Sequence, residues 1–247
     1  MSELAVLDVS DGVATLRINR PEKRNALSLD LLAALRERAA ELADRDDARC
    51  VVLRGEGRAF CAGMDLKAVL GEPGAPLRLL ESIAELTVLL RELPQVVVAR
   101  VEGAAIGGGC GLAAACDVVL THPDAKLGFP EVDLGLCPAV VAPWVVQRVG
   151  PGRARRLLLL GGTFSGQQAG ELGFADECVP REELDEAVGA MSSRIAAAGG
   201  RALATTKGLL AEWEREHVFA AVRAGAKRSA EVVESDEAQE RLAKMFG

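Results

Sequence analysis

The segment Gln95-Val96-Val97-Val98-Ala99-Arg100-Val101 constrains the fold most, because it is a β-branched run with almost no polar alternation. Runs of this kind are strands buried on both faces, and they occur in sheets that helices cover on both sides. Glycines follow at once, at Gly103 and then Gly107-Gly108-Gly109, and the residues onward to Cys116 read as a glycine-led helix. Strand, tight glycine turn and helix is therefore the local unit.

The same alternation extends through most of the chain. Leu4 to Val9 and Val13 to Asn19 are short β-prone runs around Ser10-Asp11-Gly12, so the chain opens with a hairpin. Ser28 caps a helix carrying Leu29, Leu32, Leu35 and Leu42, and Cys50 to Leu53 is a short buried strand. Gly55, Gly57 and Gly63 punctuate the next stretch, a short helix begins near Asp65, and Gly71 to Pro76 is a polar segment able to move. Further helices are expected from Leu77 to Leu93, Ala139 to Val149 and Arg153 to Leu160, with Ser165 capping a shorter one. Val118 to Leu120 and Ala175 to Val179 are the last strands, and from Arg181 onward only helix remains. There is no repeat, low-complexity tract or long linker, so the fold class is α/β: a mixed core followed by a helical tail.

Composition narrows the function. A hydrophobic fraction of 49% over 247 residues supplies a sizeable core. The net charge of -7 argues against a nucleic-acid partner and favours small-molecule chemistry. No apolar run is long enough for a membrane span and no signal-peptide pattern opens the chain, so a cytoplasmic location is expected. Six cysteines lie mostly in apolar stretches without a Cys-x-x-Cys pair or a neighbouring histidine, which reads as reduced core thiols and no metal.

Two segments carry candidate chemistry: Ala59 to Leu66, and Gly103 to Leu112. Each places small residues where a strand gives way to a helix, leaving N–H groups aimed at a position that favours negative charge. Each is thus a candidate half of an oxyanion hole, or else a place where helices pack closely.

The ordered motifs Arg20-Pro21-Glu22-Lys23-Arg24-Asn25-Ala26-Leu27, Phe60-Cys61-Ala62-Gly63-Met64-Asp65-Leu66, Gly107-Gly108-Gly109-Cys110, Cys116-Asp117, Phe129-Pro130-Glu131-Val132 and Gly135-Leu136-Cys137-Pro138 resemble the crotonase (enoyl-CoA hydratase/isomerase) superfamily. The resemblance spans nearly the whole chain. It implies a crotonase-like spiral of ββα units with two packed sheets over residues 1–190, and a C-terminal helical trimerisation region over 191–247. A homotrimer or dimer of trimers follows from it. It also implies an acyl-CoA thioester substrate, with the coenzyme A belonging to that substrate and no further cofactor. The backbone N–H groups of Met64 and Gly108 would hold the thioester oxygen. The backbone of Ala62, Gly63, Met64, Asp65 and Leu66 would contact the bent coenzyme A, with the adenine near Ala62. Lys23 and Arg24 would meet its phosphates beside Ala26, and Pro130 and Cys137 would border the acyl group. Glu131, between apolar neighbours, matches the principal catalytic glutamate, and desolvation there raises its pKa towards a useful value.

One position departs from the pattern. Typical hydratases carry a second glutamate two residues after the Gly-Gly-Gly segment, where this chain has Gly111. Hydration with a lone Glu131 is the leading expectation, a Δ3,Δ2-enoyl-CoA isomerase is its rival, and a non-catalytic acyl-CoA-binding protein stands third. Ala139, eight residues beyond Glu131, disfavours a dienoyl-CoA isomerase, which would have aspartate there. Asp133 reads as structural. His122, in a turn before Pro123, and His217 in the tail both read as exposed. Arg153, Arg155 and Arg156 read as a surface cluster, and Lys207 and Lys227 as cations able to reach phosphates across a subunit boundary.

Overall fold

The structure is a computed structural model describing residues 3–69, 72 and 74–246. Gly71 and Pro73, in the segment expected to move, lie outside the described residues. The hairpin forms as its turn chemistry dictates. Strands β1 (Ala5–Ser10) and β2 (Val13–Ile18) pair antiparallel, with Asp11 and Gly12 at φ 52° and 79°. Two positive φ values in a two-residue loop match the twist of the strands they join.

From there the chain repeats one pattern: a long strand in a first sheet, a three-residue strand in a second, then helix. After α1 (Leu29–Ala43), capped by the Ser28 side chain, β3 (Cys50–Gly55) leads to β4 (Ala59–Cys61) and then α2 (Leu66–Val69) and α3 (Ala75–Glu92). β5 (Val96–Val101) leads to β6 (Ala104–Ile106) and α4 (Gly108–Ala115). β7 (Val118–Thr121) leads to β8 (Lys126–Gly128) and, after a loop, to α5 (Ala142–Leu160). The helices expected on either side of residue 150 meet within α5, because Gly150, at φ 78° and ψ 162°, leaves helical geometry just before Pro151. β9 (Thr163–Ser165), α6 (Gly166–Leu172) and β10 (Glu177–Cys178) complete the two sheets. The first sheet runs β1-β2-β3-β5-β7-β10 and is parallel except at β1, and the second runs β4-β6-β8-β9 and is parallel except at β9.

The first sheet is covered on both faces, as its apolar strands require. On one side α1 and α3 bury Leu32, Leu35, Leu79 and Leu86. On the other, α7 (Leu184–Ala196) sets Leu184 and Val188 against Cys50, Val52, Val98 and Leu120. Residue 190 lies within α7, so the remaining helices leave the sheet only after Ala196. These are α8 (Gly200–Glu214), a π-helical turn, α9 (Ala220–Val233) and α10 (Asp236–Phe246). α9 returns along α3 and buries Val222 and Ala226 in the main core, while Phe219, from the turn before it, meets Trp144 with ring centroids 5.7 Å apart. Among the described residues no helix is long and apolar enough to cross a membrane, and no group of His, Cys, Asp and Glu is placed to hold a metal ion.

Candidate active site

The two glycine-containing junctions lie side by side because β4 and β6 are paired, Ala59 with Ala104 and Cys61 with Ala105. Glycine is what lets them approach. A methyl on Gly63, at φ 88°, would fall 2.6 Å from the Ile106 carbonyl oxygen, and one on Gly109 would fall 2.3 Å from that of Cys61. Leu27 bridges the first junction, donating to Gly63 O at 2.8 Å and accepting from Asp65 N at 2.9 Å. That pairing uses the Gly63 carbonyl and the Asp65 N–H and leaves the Met64 N–H between them, near the start of α4. A side chain on Gly108 would start only 3.9 Å from Met64 N. Neither Met64 N nor Gly108 N donates a hydrogen bond among the described residues. Two free donors thus converge on one space, one of them at a helix N-terminus, and together they can hold an oxygen that gains negative charge.

Glu131 reaches the same space from the loop after β8. Phe129 anchors that loop by packing edge-on against Phe174, with centroids 6.2 Å apart, and Leu136 N bonds back to Glu131 O at 2.8 Å. Gly107 gives the carboxylate room, since a methyl there would sit 2.9 Å from Glu131 Oε1. Oε2 is sealed from solvent without a hydrogen-bond partner. Burial is the main cause that pushes the Glu131 carboxyl up to about 7; a bond from its own backbone N–H opposes the rise and the Asp133 charge adds to it. Met64, Gly108, Glu131 and Cys137 line one cavity of about 50 Å³, otherwise walled mainly by apolar side chains such as Leu80, Ile83 and Val141.

The early loop supports this arrangement rather than entering the cavity. Asn25, fully buried at φ 57°, accepts from Arg20 N and donates to Glu56 O and Ala59 O, tying the loop to β4. Arg20 pairs with Asp65 at 2.7 Å and donates to Ala26 O. Lys23 and Arg24 are exposed at the rim, where Arg24 O accepts from Ala62 N at 3.0 Å. Leu66 packs beside Met64 against the Leu136 cluster, and Pro130 O accepts the N–H groups that form the turn after Glu131. The structural part played by Arg20 and Asn25 was not read from the sequence, although both stand inside a recognised motif.

The sequence matches the enoyl-CoA hydratase/isomerase family over residues 8–246. The chain belongs to that family. It is 35% identical over 202 residues to a putative enoyl-CoA hydratase of Thermus thermophilus, a match covering 80% of each protein. It is likewise 35% identical over 202 residues to the 1,2-epoxyphenylacetyl-CoA isomerase of Escherichia coli, covering 79% of this chain and 77% of the other. Among solved structures, Pseudomonas aeruginosa AtuE superposes with a TM-score of 0.82 at 35% identity, covering 99% of this chain and 96% of that one. An enoyl-CoA hydratase of Mycobacterium avium subsp. paratuberculosis reaches 0.88 at 25% identity, covering 98% and 99%. The α/β fold with two mixed sheets and C-terminal helices is that of these enzymes.

Against the family pattern, the missing second carboxylate has a local cause. A methyl on Gly111 would fall 2.1 Å from Val141 Cγ1, so Val141 occupies the space that a side chain at 111 would need. Two expectations are corrected. His122 is not exposed: it is 1% accessible, with neither ring nitrogen partnered, and burial is the leading cause that holds its pKa below the usual range. Lys207 is not free to reach a phosphate, because its ammonium is buried against Leu90 O, Gln95 O and Asp117 at 2.6–3.1 Å. His217, Lys227, Arg153, Arg155 and Arg156 are exposed. Asp133 accepts from Gly162 N at 2.8 Å and so fixes the turn after Glu131.

Proposed function

We propose that this chain is an enoyl-CoA hydratase-type lyase that stabilises a thioester enolate with backbone donors and moves its proton with one glutamate. One observation carries the reading: the Glu131 carboxylate, whose Oε2 is sealed from solvent without a hydrogen-bond partner, shares a cavity with two free N–H groups. The N–H groups of Met64 and Gly108 take the thioester oxygen and bind it hardest when it becomes an enolate, so their effect falls on the transition state. Glu131 accepts a proton from water as the hydroxyl adds to C3, then returns a proton to C2 on the same face. The backbone from Ala62 to Leu66 lies along the coenzyme A, with Lys23 and Arg24 at its phosphates, and no metal or redox cofactor enters the reaction. A cytoplasmic homotrimer, or a dimer of trimers, belongs to the same proposal.

A second reading has its own support. With Val141 filling the place beside Gly111, the site holds one carboxylate, and moving a proton from C2 to C4 of an enoyl thioester needs only one. Incubation with crotonyl-CoA and with 3-hexenoyl-CoA, followed by conjugated-enoyl absorbance and product mass, separates the two. Water addition to crotonyl-CoA is expected. Conjugation of 3-hexenoyl-CoA without hydration would make the enzyme an isomerase. Glu131→Gln is expected to lower either turnover about a thousandfold while butyryl-CoA binding stays within about threefold. Unchanged turnover in that variant would remove Glu131 from the mechanism.

A further inference from the structure

The far wall of the cavity is held more tightly than packing alone requires. α9 crosses the segment before α5 at Gly225, where a methyl would fall 2.3 Å from Ala139 O and 2.9 Å from Val140 N. One turn later Ser229, 1% exposed, donates to Cys137 O at 2.7 Å and accepts from Ala139 N at 3.1 Å. The hydroxyl thus brackets Pro138 from both sides. Although Ser229 borders the cavity, its one proton is already committed, so it has none to donate to a substrate. The segment is also fixed from inside, because Val141 fills the space over Gly111 on α4. A β-branched residue packed against α4 on a segment fixed by α9 has little rotamer freedom with which to retreat.

We propose that Val141 is the specificity-determining residue that closes the acyl end of the site and restricts it to short acyl thioesters, with Ser229 as the positioning residue that holds it there. The proposal rests on the acyl-CoA reading above and adds the length class of the acyl group. Val141 lines the cavity and stands between it and the space over Gly111, so the cavity ends at that side chain. Each further methylene that finds no burial forfeits the about fourfold gain in affinity that a buried one brings. Trimming Val141 opens the pocket towards Gly111, and releasing the bracket at Pro138 lets the wall shift the same way.

The test is calorimetric binding of saturated acyl-CoAs, from butyryl to decanoyl, to the full-length wild type, Val141→Ala and Ser229→Ala. Saturated thioesters bind without turning over, so the result does not depend on which reaction the enzyme performs. Wild type is expected to gain no more than about fourfold in affinity from butyryl- to octanoyl-CoA, where four buried methylenes would gain more than about a hundredfold. Val141→Ala is expected to raise the octanoyl-to-butyryl affinity ratio about tenfold with butyryl-CoA affinity within about threefold, and Ser229→Ala to raise it by a smaller factor. The ratio does not depend on the fraction of protein folded, so a variant of lowered stability still reports. A gain of about a hundredfold or more from butyryl- to octanoyl-CoA in wild type, or an unchanged ratio in Val141→Ala, overturns the proposal. An unchanged ratio in Ser229→Ala overturns the positioning role. If wild type bound no acyl-CoA of any length, the acyl-CoA reading itself would fall and the proposal with it.

Discussion

At the scale of single residues, Glu131 shows a functional group opposing the stability of its own fold. Its carboxyl is raised from 4.5 to about 7, first by burial. A group raised in this way contributes stability that is fully present below about pH 4.5 and is lost as pH rises through about 7, since the unfolded chain ionises more readily. The loss amounts to about 3 kcal/mol at most. Glu131→Gln is therefore expected to raise the urea midpoint over wild type at pH 8 and to leave it unchanged at pH 4.5; a uniform shift at both would mean that ionisation is not the cause. In the proposed mechanism Glu131 acts as a base and must be ionised, so kcat/KM of wild type should climb to a plateau above about pH 7. Glu131, Met64 and Gly108, which line one cavity, were singled out in the sequence through the resemblance of the motifs that carry them. His122 was not. Thr-His-Pro-Asp reads locally as an exposed turn, whereas α6 packs against its backbone, where a methyl on Gly166 would touch the His122 carbonyl oxygen from 44 positions away in the chain.

Among the elements, the first sheet was legible and the second was not. Strands such as Val96–Val101 are long and apolar enough to declare themselves, whereas β4, β6, β8 and β9 have three residues each, too few to show a period of two. Yet these short strands set the spacing of the site, because β4 and β6 end at the junctions that carry Met64 and Gly108. Gly107 is the sensitive point: it takes φ 53° and ψ -121°, and its bare α-carbon faces the Glu131 carboxylate. Gly107→Ala places a methyl 2.9 Å from Glu131 Oε1 in a conformation that side chains rarely adopt. A cost of about 2 kcal/mol in urea unfolding is expected, together with a loss of at least about a hundredfold in kcat/KM. The stability loss alone, with catalysis intact, would show that the junction tolerates displacement of the carboxylate.

At the scale of the molecule, the question is whether the helical tail is an appendage or part of one cooperative unit. The helical character of the tail was plain from its Ala, Glu, Arg and Leu content, but its docking was not, because the partners are far apart in sequence. α8 carries Lys207 and Glu214 two turns apart and presents opposite charges to the core. Lys207 binds Asp117 at 2.6 Å, and Arg91 places a two-pronged bond on Glu214 at 2.7–2.8 Å while also reaching Asp117. The four charged side chains are largely withdrawn from water, so each depends on the others for compensation. Phe219, Val222, Ala226 and Ala230 of the tail belong to the same hydrophobic cluster as the strands. Lys207→Met removes one charge and leaves Asp117, Leu90 O and Gln95 O short of a donor, at a cost of about 3–5 kcal/mol. Because tail and core share one cluster, that cost should move the entire unfolding curve, with helix signal and hydrogen-exchange protection of the β5 amides shifting to the same lower urea midpoint. A first transition that removed helix signal while leaving the β5 amides protected would instead make the tail a separate unit, and the bracket that Ser229 places on the acyl wall would then open independently of the sheets.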